Sequence, residues 1–154
     1  MKLLILYKTK YGSTEQYAKW IAEEVKADIS DIESFNINSL DNYEAIIIGS
    51  STYMGQIQMK GFLEQNWEVL KNKNIYLFNV GMFPWEHQDS KKSFGMIPEH
   101  IRDKIGFSKL PGRLDTSKLS LSEKLIVKIT KAKPEDKVNR DNIAPIVKWV
   151  KELG

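Results

Sequence analysis

The sequence predicts an α/β protein, a three-layer α/β/α sandwich built on a five-stranded parallel sheet. Three observations predict it. Short, continuously apolar runs recur at 3–7, 45–49 and 75–80, the pattern of strands covered on both faces. Helical apolar periodicity occupies the stretches between them. The connections are short, so right-handed crossovers turn a β-α-β-β-α-β-α-β-α order into a sheet with helices on both sides. A length of 154 residues suits one domain, 1–154.

Each element has its own justification. The run LLILY at 3–7 is the first buried strand. Ser13 occupies a helix-cap position, with Gln16 three residues on completing a capping box. Tyr17, Ala18, Ile21, Ala22 and Val25 then fall on one helical face. A weak strand follows at 27–32. The stretch 45–49 is the purest aliphatic run and predicts a second central strand. Residues 61–70 read as a helix anchored by Phe62, Leu63 and Leu70. Another central strand covers 75–80. A helix over 91–104 is made irregular by Gly95 and Pro98, and a last strand lies at 106–114. The closing helix at 141–153 turns Ile143, Ile146, Val147 and Val150 inward. Residues 116–136 do not fit the alternation and form an extra segment. There is no internal repeat and no low-complexity tract.

Composition narrows the function. Hydrophobic residues make up 42% and charged residues 28%, as in ordinary globular proteins. No apolar stretch approaches the length of a membrane span. Met1 leads directly into the first strand and leaves no room for a signal peptide, so a cytoplasmic protein is expected. Cysteine is absent, which excludes disulfides, thiolate metal sites and cysteine catalysis. Redox chemistry would therefore need a bound cofactor. The net charge of +3 is unevenly spread. Residues 1–90 carry 8 Lys/Arg against 12 Asp/Glu, net −4, and residues 91–154 carry 15 against 8, net +7. The asymmetry marks either a surface for an anionic partner or a lysine-rich, well-solvated set of helices.

The first strand hands over to its helix through Thr9, Lys10, Tyr11, Gly12, Ser13 and Thr14. In an open α/β sheet, ligands bind beyond the carboxyl ends of the strands. This loop sits there and leads to a helix N-terminus, where N–H groups and the dipole attract an anion. Gly12 permits close backbone approach, and Thr9, Ser13 and Thr14 each carry a hydroxyl donor. The loop reads as a phosphate cradle. It has neither the G-x-x-x-x-G-K-[ST] of a P-loop nor the G-x-G-x-x-G of a dinucleotide fold. Two more strand ends lie beside it. One is Ser50, Ser51, Thr52, Tyr53, Met54 and Gly55. The other is Gly81, Met82, Phe83, Pro84 and Trp85.

The loop resembles the T/S-x-T/Y-G-x-T phosphate loop of flavodoxins and flavodoxin-like proteins, matched here by Thr9, Tyr11, Gly12 and Thr14. The segments LILYKTKYGST, IIIGSSTYMG, LFNVGM and LPGRLDTSKLSLSEKLIVKITKAK extend the likeness over nearly the whole chain. They resemble the flavodoxin-domain branch that includes bacterial menaquinone-dependent protoporphyrinogen oxidase. Tyr at the third loop position resembles the specialised oxidoreductases of the family more than its small electron carriers, which usually have Thr. The resemblance implies a flavodoxin-like fold with FMN as cofactor, its phosphate on Thr9–Thr14. Ser51, Thr52, Tyr53, Met54, Gly55, Gly81, Met82, Phe83 and Trp85 would then flank the isoalloxazine. Tyr53 with Met54, and Phe83 with Trp85, are candidates for plates on the flavin faces or for caps on the core.

The branch also carries an extra segment ending in a basic amphipathic helix. Here Ser120 and Glu123 have capping-box spacing, and Leu121, Leu125, Ile126 and Ile129 form an apolar face. Lys118, Lys124, Lys128, Lys131, Lys133 and Lys137 load its flanks. Such a helix over 119–131 rests on an anionic membrane surface, accepts an acidic partner, or packs on the core with its lysines solvated. His87 and His100 lack metal-ligand spacing with their acidic neighbours and read as surface residues. Nothing points to nucleic-acid binding, since aromatics do not interleave with the C-terminal lysines. By resemblance the donor is a porphyrinogen and the acceptor a menaquinone, at the inner face of the membrane. The alternative is a flavodoxin that shuttles electrons between soluble redox partners.

Overall fold

The computed structural model describes residues 1–114, 119–130 and 135–154. Five parallel strands form the expected sheet: β1 (Leu3–Tyr7), β2 (Asp28–Asp31), β3 (Ala45–Tyr53), β5 (Asn74–Gly81) and β6 (Ile105–Pro111). Their order is β2-β1-β3-β5-β6, and a short antiparallel strand, β4 (Gln56–Ile57), pairs with the end of β3. The chain therefore winds outward from β1 in both directions, and the carboxyl ends of β1, β3 and β5 lie side by side.

Burial on both faces of the sheet divides the core in two. Ile5, Ile47 and Phe78 on one face pack with Tyr17, Ala18 and Ile21 of α1 (Ser13–Val25) and with Ile146 and Val147 of α7 (Ala144–Leu153). Leu4, Leu6, Ile46, Ile48 and Leu77 on the other face pack with Leu63, Leu70, Ile97 and Ile101. Those residues lie in or beside four short helices: α2 (Lys60–Gln65), α3 (Trp67–Leu70), α4 (Gln88–Gly95) and α5 (Glu99–Arg102). Full burial of one Leu or Ile contributes roughly 1.5–3 kcal/mol, so the apolar runs of β1, β3 and β5 together supply much of the stability of the sheet.

Several elements differ from the sequence expectation. The helix over 61–70 is two helices, interrupted at Asn66 (φ −111°, ψ 12°). The stretch 91–104 also splits, with Gly95 ending α4 and Pro98 preceding α5. The strand over 45–49 runs on to Tyr53 because β4 supplies partners for Thr52 and Tyr53. The last strand stops at Pro111, and β7 (Arg113–Leu114) leaves the sheet to pair with β8 (Glu135–Asp136). The capping box at Ser13 is not formed: Gly12, at φ 96°, is the cap, and Ser13 is the first helical residue. The extra segment contains α6 (Leu121–Thr130). The rest of 116–136 lies in part outside the described residues, as do Lys118, Lys131 and Lys133.

Candidate functional site

The loop after β1 is shaped by its own atoms. The amide of Gly12 donates to Thr9 Oγ1 at 3.0 Å, and Gln16 N–H donates to the Gly12 carbonyl at 3.0 Å. No side chain caps α1. By contrast, Asn36, His87 and Asn139 each cap the helical turn that follows them. The 13-residue α1 thus presents its first-turn N–H groups and the positive end of its dipole without a side-chain acceptor. Thr14 is buried, and its hydroxyl donates to the Ser50 carbonyl at 3.3 Å, which ties the loop to β3. A hydroxyl has one proton, so in this rotamer Thr14 offers a ligand its oxygen and its amide.

The other two strand ends meet the loop across one cleft of about 360 Å³, within the range of small-molecule sites. Thr9, Lys10, Tyr11, Ser13, Thr14, Ser51, Thr52, Tyr53, Met54, Gly55, Gly81, Met82 and Phe83 all line it. Gly12 shapes the loop rather than lining the cleft. Trp85 packs edge-on against Phe94 and Phe107 (centroids 5.7 and 5.4 Å), the core-cap alternative of its expectation, and is not among the residues lining the cleft. Phe83 stacks on His87 at 4.1 Å, so that histidine caps α4 and backs an aromatic at the cleft. Met54 (φ 52°) and Gly55 (φ 78°) turn β3 into β4 through a two-residue hairpin with both central residues at positive φ, as a type I′ turn requires. Positive φ is uncommon for a side chain as large as Met, and it holds Met54, 67% exposed, at the rim.

A further wall was not foreseen. Leu119, Glu123, Ile126 and Val127 of the extra segment line the same cleft. Glu123 is almost buried and accepts from the Tyr11 hydroxyl, while its Oε1 lies 3.2 Å from Lys10 Nζ. It also accepts from Ser120 Oγ (2.7 Å) and N–H (3.2 Å), the expected capping box. Lys10 in turn lies 3.5 Å from the centroid of the Tyr53 ring. Desolvation alone would lower the Lys10 pKa, but hydrogen bonds with Tyr53 and Glu123 outweigh it and raise it. Thus the hydroxyl of the variant loop position, Tyr11, holds the extra helix. The contact joins residues 112 apart, and no local pattern announces it.

Gln58, Val80, Lys109, Gly112 and Arg113 complete the lining and were also missed. Lys109 is a lone charge inside a strand pattern, which gives no sign of where it points. Its ammonium donates to Ser90 Oγ at 3.1 Å, and burial lowers its pKa. Arg113 pairs with Asp136 at 2.8 Å. Among the described residues no group of acidic and histidine side chains is arranged to hold a metal, and no helix is long and apolar enough to cross a membrane. The cleft joins an open helix N-terminus to aromatic, thioether and hydroxyl groups. That combination suits an anionic ligand with a flat apolar part.

Known proteins resemble this chain in sequence and in fold. The flavodoxin domain family profile matches residues 4–141. An uncharacterised protein of Methanocaldococcus jannaschii is 35% identical over 106 residues, 68% of this chain and 66% of that one. Protoporphyrinogen IX dehydrogenase [quinone] of Escherichia coli K12 is 33% identical over 60 residues, 36% of this chain and 33% of that one. The chain thus spans just under two thirds of the first relative and one third of the second. An archaeal flavodoxin structure superposes with a TM-score of 0.53 at 18% identity, covering 85% of this chain and 97% of that one, a likeness of fold.

Proposed function

The chain belongs to the flavodoxin domain family and its cofactor is FMN, and on that premise we propose that it is an FMN-dependent oxidoreductase resembling protoporphyrinogen IX dehydrogenase. Its substrates would be a porphyrinogen-class donor and a quinone acceptor. The residues fit the cofactor. The uncapped N-terminus of α1 with Gly12 in the left-handed region matches a phosphate monoester, and the cleft has room and apolar surface for a ring system.

In this reading the amides of Ser13 and Thr14, with the Thr9 and Ser13 hydroxyls, hold the phosphate. Tyr53, Met54 and Phe83 flank the ring, and Gly55 and Gly81 bring backbone to its edge. Trp85 supports the Phe83 loop from outside the cleft. Bound FMN supplies hydride or single-electron transfer, and the protein supplies position and field. Burial of Thr14 and Ser13 fixes the phosphate end of the cleft rigidly. The wall formed by Leu119, Ile126 and Val127 reduces water access to the cleft.

That wall is the observation favouring an enzyme over a carrier. A carrier needs its flavin edge open to a protein partner, whereas a small substrate is served by an enclosed space. The carrier reading, a flavodoxin passing electrons between soluble partners, is favoured by the exposed rim of Met54, Met82 and Phe83. Oxidation of a porphyrinogen with a quinone acceptor by the FMN-loaded protein tests the choice. Turnover supports the enzyme. Its absence, with rapid electron exchange with a redox protein, supports the carrier.

The outer side of α6 adds a surface. Leu121, Leu125 and Ile129 are 87%, 58% and 71% exposed, with Lys124 and Lys128 between them. This apolar ridge with basic flanks suits weak peripheral contact with an anionic bilayer at the cytoplasmic face, where a quinone would be available.

A further inference from the structure

Among the described residues three cations line the cleft: Lys10, Arg113 and Lys109. Two are answered by carboxylates, Lys10 by Glu123 and Arg113 by Asp136. Lys109 has no carboxylate within ion-pair distance among the described residues, and Ser90, a neutral hydroxyl, accepts its hydrogen bond. Ser90 passes the link on by donating to the Phe83 carbonyl at 3.1 Å. The ammonium is therefore fixed to the loop that carries Phe83.

Its location is equally defined. A Cβ built on Gly81 would meet Lys109 Nζ at 2.9 Å, Lys109 Cε at 3.1 Å and Thr52 Oγ1 at 3.3 Å. The glycine thus leaves the space that the lysine uses. Lys109 starts on β6 beside Asn79 and reaches back over the end of β5. β5 is two strands away from β1, about 10 Å across the sheet, so the charge stands well away from the loop assigned to the phosphate. It stands instead beside Thr52 and Gly81 and, through Ser90, on the loop of Phe83, among the residues assigned to the ring.

We propose that Lys109 sets the redox poise of the flavin, its ammonium facing the ring and favouring the reduced, negatively charged form over the neutral oxidised one. This rests on the FMN reading above. Two electrons and one proton added to the ring leave it with one net negative charge. The donor substrate provides the electrons and becomes oxidised. A partly buried cation with no carboxylate partner among the described residues carries its desolvation cost in every state, and the new ring charge offsets it only after reduction. Charge near the ring is one of the protein's means of tuning a flavin. A higher potential suits a quinone-reducing enzyme and works against a low-potential carrier.

The test loads wild type, Lys109→Met, Lys109→Gln and Lys109→Arg with FMN and measures the two-electron midpoint potential by equilibrium titration with dithionite. Loss of the charge should weaken binding of reduced FMN relative to oxidised FMN about tenfold, a fall of about 30 mV. Lys109→Arg should restore most of it. Lys109→Gln retains a hydrogen-bond donor for Ser90 without charge, so it reads the same loss if Lys109→Met does not fold. Equal potentials in loaded wild type and loaded Lys109→Gln overturn the assignment of Lys109 alone. A wild type that takes up no FMN overturns the cofactor reading and this assignment with it.

Discussion

The two sides of the cleft are made differently. The side at Thr9–Thr14 grows out of the core: Ser13 and Thr14 are buried, and α1 is clamped by Tyr17, Ala18 and Ile21. The side at α6 is applied from outside. It touches the loop through Glu123 and turns Leu121, Leu125 and Ile129 to solvent. Binding of the phosphate is thus assigned to the part of the molecule with the largest stability behind it. Cover is assigned to the part with the least, which is where proteins usually place elements that move.

Substitutions on the two sides should separate accordingly. Gly12→Val forces a β-branched residue to φ 96°, and such strain costs of the order of 1–3 kcal/mol. We expect the upper end of that range, seen as a lower denaturation midpoint together with loss of FMN uptake. If both stay as in wild type, the loop is not the rigid side. Thr14→Val keeps shape and the amide assigned to the phosphate, and removes the hydroxyl's link to the Ser50 carbonyl that ties the loop to β3. Titration with FMN should show weakening by roughly 0.5–1.5 kcal/mol with the fold intact, as the loop loses its tie to β3. An unchanged dissociation constant would leave Thr14 as a packing residue only.

Changes on the applied side should spare FMN. Replacing Lys124 and Lys128 with Gln removes about 1 kcal/mol each of attraction to an anionic bilayer. Vesicle co-sedimentation at low salt should drop measurably, and added salt should lower wild-type binding in the same direction. A wild type indifferent to such vesicles would restrict α6 to its role as a wall. Tyr11→Phe removes one hydrogen bond to Glu123 and leaves Lys10 in place, a net loss of about 1 kcal/mol. Amide exchange within 121–130 should then speed up about fivefold while the strands stay protected. Equal acceleration in β1 and β3 would show that the two sides are one cooperative unit.

The same division decides what the sequence revealed. β1, β3 and β5 were legible because burial on both faces demands uninterrupted apolar residues, which no helix on the surface needs. The loop after β1 and its lead into a helix N-terminus were legible because a strand end, a glycine and hydroxyls fall within six residues. The cap was misplaced by one position, since Ser13 at the first helical residue and a capping serine share almost the same spacing, and the φ of Gly12 decides between them. The break at Asn66 escaped because Phe62, Leu63 and Leu70 keep helical period on either side of it. Glu123 and Lys109 escaped for another reason. Their partners lie 112 and 19 residues away, and a charge in an amphipathic helix or a strand reads the same whether it faces solvent or a cleft.

The carboxylate of Glu123 has two sets of partners at once. It closes the capping box with Ser120, and it bonds to Tyr11 and Lys10. Helices shorter than about 12–15 residues are marginal in water, and α6 has 10. Its helicity is therefore borrowed from the body it rests on. Separation from Tyr11 and Lys10 withdraws that loan, so detachment and helix melting become a single equilibrium. A detached cover would be a coil and an attached one is a helix, and the ordering entropy of its ten residues would oppose reattachment each time. Anything that steadies α6 from outside, a bilayer or a bound substrate, raises the closed fraction without touching the phosphate loop.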